Sequence, residues 1–177
     1  MLLLPDVFER TWRRPTRPFW PGAIEKVRDQ YPEFLFLAEV YWDREWEMQQ
    51  LGFDYCYDKR LYDRLLHPYA PSIADHLRAD RVFQSRLTRF LENHDEVRAS
   101  SAFPGNMQQA AAVITYFSPG MKMFHQGQME GYLTKIPVHL ARGPKEVVNQ
   151  EIRKMYDSLL AAIKDPIIKS CLLSLLD

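Results

Sequence analysis

The 177-residue chain has the size of one domain, with 46% apolar and 26% charged residues. Its 23 Lys plus Arg balance 23 Asp plus Glu, so the basic excess expected of a nucleic-acid binder or a polybasic membrane surface is missing. Disorder is excluded by the apolar content, and Cys56 and Cys171 make neither a disulfide framework nor a metal-ligand spacing.

Met1 to Pro5 is apolar but too short for a signal-peptide core, and Asp6 and Glu9 follow at once. No stretch approaches the ~20 apolar residues of a membrane span, and a cytoplasmic location is expected. A helix is predicted from Pro21, a residue suited to a first helical turn, with Ile24, Val27 and Tyr31 at helical spacing and Pro32 as its stop. Phe34 to Ala38 reads as a strand covered on both faces, ending in Glu39. Glu45 to Gln50 reads as helix with Gly52 as its stop, and Phe53 to Tyr57 as a second strand.

Ser72, with Asp75 three residues on, is predicted to cap one helix running through Ile73, Leu77 and Phe83 toward Leu87. Arg89 to Leu91 forms a third strand, ending at Asn93-His94-Asp95. Gly105 to Tyr116 is helical, and Pro119-Gly120 turns the chain into a fourth strand, Met121 to Phe124. A last long helix is predicted from near Pro144, through Val147, Val148, Ile152, Met155, Leu159 and Ile163, to Pro166. Short apolar strands alternating with amphipathic helices indicate an α/β fold with a parallel sheet. Right-handed crossovers then bring the carboxyl ends of the strands to one side, where ligands bind in such folds.

Polar residues at those ends are therefore the candidate site: Glu39, Asp54 and Asp58, Asn93-His94-Asp95, and Gln126-Gly127-Gln128, with Arg98 just beyond. Two carboxylates there meet the requirement for general acid catalysis beside a developing cation. Glu39, at the end of an apolar strand, is expected to be partly buried and protonated. Asp95 has His94 and Arg98 as prospective partners that keep it ionised. Tyr41 and Trp42 could stack on a sugar ring. Each feature has a plainer reading: a solvated loop glutamate, Asx turn chemistry, a surface ion-pair arginine or a core aromatic. No phosphate loop, nucleophile elbow or metal motif is present.

Three segments together resemble the α-amylase superfamily, glycoside hydrolase family thirteen. Phe34-Leu35-Phe36-Leu37-Ala38-Glu39-Val40-Tyr41-Trp42 is similar to the fifth strand of the family's barrel, which implies Glu39 as general acid/base. Arg89-Phe90-Leu91-Glu92-Asn93-His94-Asp95 is similar to the seventh strand, which implies His94 as a substrate contact and Asp95 as transition-state stabiliser. Met123 to Gly131 resembles the eighth strand and its glycine-rich turn, and the order and intervening helices match up to about Ile163. Asn93, Arg98 and Trp42 are the further implied substrate contacts.

The resemblance implies a partial (β/α)8 TIM barrel, strands five to eight with their helices, as a single partial catalytic domain over 1–177. Residues 1–32 would follow the fourth strand, 33–165 would hold strands five to eight, and 166–177 would be a tail. The family's nucleophile lies in a Gly-Phe-Arg-x-Asp motif that does not occur here, and Met1 to Phe8 resembles the stretch after it. Asp6 lacks a strand to deliver it. Members of the family usually continue into a small β-sandwich, whereas Ile167 to Asp177 reads as a short apolar tail. The expected function is thus a fragment of a retaining α-glycosidase or α-glucanotransferase, acting on α-glucan or oligosaccharide substrates and inactive alone.

Half a barrel exposes two sheet edges and an apolar inner face, and a complete one needs ~200 residues. The alternative expectation is a non-catalytic half-barrel that self-associates or complements a separate amino-terminal half. No cofactor is implied. Calcium is left open, since no oxygen-ligand loop is visible.

Overall fold

The computed structural model describes residues 17–41, 43–140, 142–166 and 168. Trp42, Asp6, Cys171, the Met1 to Phe8 stretch and the tail from Ser170 to Asp177 lie outside them. The chain divides between Tyr57 and Asp58 into two compact units, described separately below.

In the first unit, helix α1 (Phe19–Gln30) starts behind Pro18 and buries Ile24. Arg28, in its last turn, donates from Nη2 to Gly52 O at 3.0 Å and Asp54 Oδ2 at 2.7 Å. Strand β1 (Leu37–Ala38) runs parallel to β2 (Tyr55–Tyr57), pairing Leu37 with Tyr55 and Ala38 with Cys56. Helix α2 (Glu45–Gln50) lies between them in sequence, and Gly52, at φ 103°, takes the left-handed conformation that closes it. Phe53 is the hub of an aromatic cluster, with Trp20 and Phe36 rings edge-on at 4.8 and 6.3 Å.

Two expectations change here. The run from Phe34 is not a strand covered on both faces: the ladder holds only Leu37–Ala38, and Phe34, Leu35 and Leu37 are exposed. Phe34 N instead donates to Tyr31 O at 3.0 Å, so the start of the run belongs to the turn after α1. Asp54 is not at the ligand end of its strand. It precedes β2, and its Oδ2 accepts from Phe36 N at 2.7 Å as well as from Arg28. It is an anchor at the amino end of the parallel pair.

In the second unit, α3 (Lys59–Leu66) comes where no helix was expected, and α4 (Ala70–Leu77) and α5 (Arg81–Ser85) replace the single helix expected from Ser72. Asp58 starts α3 by accepting from Leu61 N at 3.1 Å. Ser72 lies inside α4, its hydroxyl turned back to Tyr69 O at 2.9 Å. Asp80 accepts from Val82 N and Phe83 N and so restarts the chain as α5.

Strand β3 (Leu87–Arg89) begins two residues earlier than the expected Arg89 and is parallel to β4 (Met121–Lys122), with Thr88 opposite Met121. A Cβ on Gly120, at φ 104°, would stand 2.1 Å from Leu87 O, so this approach requires glycine. Between the strands lie α6 (Ala99–Ala102) and α7 (Asn106–Phe117); α8 (Gln150–Lys164) follows. α8 starts at the Asn149 cap, not near Pro144, and Val147 is 92% exposed. The Glu146 carboxylate is committed instead to Leu133 N and Thr134 N, holding this stretch as a loop.

Asp58 is also corrected as a site candidate. Its carboxylate is buried against the fully buried Arg89, and His76 Nε2 lies 3.0 Å from Oδ2. Arg89 further donates to Pro119 O at 2.9 Å and to Gln84 Oε1. Burial pulls the Arg89 guanidinium down to about 9, which still leaves it charged at neutral pH. Asp58 is thus helix cap and buried counter-ion together. Gln128, another strand-end candidate, serves the core: its Nε2 donates to the Tyr116 and Tyr156 hydroxyls at 2.7 and 2.8 Å.

Candidate active site

The chain leaves β3 through Phe90, Leu91, Glu92 and Asn93, all buried, and surfaces at His94 and Asp95. Asn93 makes the turn. Its Oδ1 accepts from Asp95 N at 2.8 Å and Glu96 N at 2.9 Å, an Asx turn that fixes the backbone direction at Asp95. Its Nδ2 is buried without a partner among the described residues. His94 Nε2 stands 3.6 Å from Asp95 Oδ2, with both side chains about half exposed (44% and 53%). Lys135 Nζ donates to the Asp95 carbonyl from the 132–148 loop.

Arg98 does not pair with Asp95. Its side chain is 3% exposed and its Nη1 donates at 2.6 Å to Oε1 of Glu92, itself 1% exposed. The same guanidinium donates to Gln126 O at 2.6 Å and, through Nε, to Thr134 O at 3.0 Å. His125 Nδ1 is 3.0 Å from Glu92 Oε1, and Ala99 N donates to Glu92 Oε2 at 2.6 Å. Glu92 was not singled out by sequence reasoning. A charged residue directly after Phe90 and Leu91, in a run bound for the interior, was the signal that could have found it.

In the first unit, Glu39 follows Ala38 at the carboxyl end of β1, between buried Ala38 and Val40. The expected partial burial is not observed: Glu39 is exposed, because the strand alternates and odd positions face outward. Tyr41 Oη donates to its Oε1 at 3.2 Å. Glu39 lies in the first unit and His94, Asp95, Asn93 and Arg98 in the second.

Parallel strand pairs joined through helices make this an α/β protein, with Glu39 just beyond one strand and the His94-Asp95 pair beyond another. No family model matches the chain, and no curated protein matches it. Solved structures do. The chain is similar to a cyclic α-maltosyl-(1→6)-maltose hydrolase from Arthrobacter globiformis, solved with maltose, at 16% identity and TM-score 0.69 over 80% of this chain and 36% of that one. It is similar to an acarbose-soaked debranching enzyme from Nostoc punctiforme at 19% identity and TM-score 0.68, over 89% of this chain and 39% of that one. A maltogenic α-amylase from Thermotoga neapolitana matches at 18% and 0.65, over 85% and 37%. The likeness is one of fold. The chain spans 36–39% of the length of these enzymes.

Proposed function

We propose that the chain is part of a retaining α-glycosidase or α-glucanotransferase of the α-amylase superfamily, contributing strands five to eight of its barrel. The observation that carries this reading is the position of Glu39 and the His94-Asp95 pair at the carboxyl ends of parallel strands in a fold shared with α-glucan enzymes. Glu39, as the acid/base, gives a proton to the glycosidic oxygen as the bond to the anomeric carbon breaks. Asp95 stabilises the oxocarbenium-like charge that develops on the sugar. His94 contacts the sugar, with Trp42 as a stacking surface, while the buried Asn93 acts through the turn that sets Asp95. Arg98 acts at one remove, through its hold on the strand-end loop.

Retention needs a third carboxylate to attack the anomeric carbon, ~5–5.5 Å from the acid. The 177 residues contain no Gly-Phe-Arg-x-Asp segment, so catalysis needs a nucleophile supplied from outside them. Loss of a nucleophile can cost ~10⁶ in rate. The substrate is an α-glucan or oligosaccharide, the location is cytoplasmic, and the reading invokes no cofactor. Among the described residues no helix is long and apolar enough to cross a membrane.

The test is hydrolysis of a maltooligosaccharide by the chain alone and after addition of a polypeptide carrying the preceding four strands. The reading expects turnover only in the mixture, lowered at least ~10²-fold by Glu39→Gln. Turnover unaffected by that substitution overturns it. A second reading, a half-barrel that self-associates, is favoured by the exposure of Phe34 (51%) and Leu35 (62%) before β1. A discrete dimer in sedimentation velocity supports it, and a monomer removes it.

A further inference from the structure

Glu92 carries no role in the reading above, yet it is the most heavily engaged carboxylate of the strand-end region. Its two oxygens accept from Arg98 Nη1 at 2.6 Å and from Ala99 N at 2.6 Å, with His125 Nδ1 at 3.0 Å. The side chain at the start of the 93–97 loop therefore grips the two residues that end it. Arg98 extends the grip outward, to Gln126 O after β4 and to Thr134 O in the following loop. Lys135, next to Thr134, donates to the Asp95 carbonyl. The loop bearing Asp95 is thus fastened at both ends and braced from one side.

From this arrangement we infer that Glu92 is the positioning residue for Asp95, acting through Arg98 and Ala99 without touching the sugar. The inference deepens the proposed glycosidase reading and rests on it for the role of Asp95. The physical basis is charge-assisted hydrogen bonding in a site sealed from water, where an ionised acceptor is worth more than a neutral one. A glutamine at position 92 has nearly the same shape but no charge, and it presents a donor to one of three neighbours that are themselves arranged as donors. The clamp then opens at one end, and the Asx turn that orients Asp95 loses its frame.

The test uses the full chain and needs no turnover, so it stands apart from the fate of the glycosidase reading. Amide hydrogen exchange is measured by NMR in the wild type and in Glu92→Gln. The expected result is at least about tenfold faster exchange at the Asp95 and Glu96 amides, with α7 and α8 amides unchanged. The slowly exchanging guanidinium signal of Arg98 is lost at the same time. Unchanged Asp95 and Glu96 amides overturn the inference, and so does a uniform rise across the unit, which marks a purely structural ion pair. Should Glu92→Gln fail to fold, Arg98→Lys keeps the cation but loses the fork to Gln126 and Thr134. It is expected to give the same local pattern, and its absence is equally contradictory.

Discussion

The two strand ends that carry the candidate carboxylates reach the surface by different means. Glu39 follows a two-residue strand whose neighbours Ala38 and Val40 are buried, and its own side chain stands exposed beside Tyr41. Asp95 comes six residues after β3, on a loop that depends on Asn93, Glu92 and Arg98 for its course. One carboxylate is aimed by strand alternation with Tyr41 beside it, the other by a buried polar network. An acid that must exchange protons with solvent suits the first construction. A carboxylate that must hold fixed geometry opposite a developing cation suits the second.

Breaking the network should therefore cost far more than altering the exposed acid. Arg98→Ala leaves Glu92 charged, buried and without its cation, and is expected to lower the stability of the second unit by about 3–5 kcal/mol. Urea denaturation followed by amide signals of α7 and α8 measures it; a loss below about 1 kcal/mol would show that the pair is not the anchor described. Asn93→Ala removes only the Asx turn. A loss of about 1 kcal/mol is expected, concentrated in exchange at the Asp95 and Glu96 amides.

A pH series sharpens the comparison by reading a half-buried cation directly. Burial, with Arg89 nearby, pulls the Lys122 ammonium from 10.5 down to about 8. Between those values the unfolded chain holds a proton that the folded chain has released, so the Lys122 contribution to stability rises with pH. Wild-type stability minus that of Lys122→Met should climb across this window; a flat difference contradicts the assignment. Taking the difference removes the tyrosines Tyr62, Tyr116 and Tyr156, whose hydroxyls burial pushes up. The smallest effect belongs to Glu39→Gln, which should change stability by less than about 0.5 kcal/mol. A larger loss in thermal unfolding would mean that Glu39 has a structural role as well.

Much of this was legible in the sequence, and the exceptions share a cause. The expected strands overlap the described ones, β3 at Arg89 alone, and Gly52 marked the end of α2 and Pro21 the first turn of α1, because local sterics decide those features. The His94-Asp95 pair and Glu39 stood out because polar residues directly beyond strands are visible in one dimension. Asp58, Asp54 and Arg98 misled for the opposite reason. Asp58 takes a counter-ion 31 positions away in Arg89, Asp54 takes one 26 positions back in Arg28, and Arg98 chooses Glu92 over the nearer Asp95. Such choices follow from which atoms burial brings together, and no local pattern announces them. Asp80, which broke an expected helix into separate pieces, shows the same limit at shorter range.

The most direct measurement is an acarbose titration of the isotopically labelled chain, followed residue by residue in NMR spectra. The account predicts saturable shifts at Glu39 and Tyr41 together with His94 and Asp95, sharing one dissociation constant. Shifts confined to one of the two strand ends, or absent from both at saturating ligand, would contradict it.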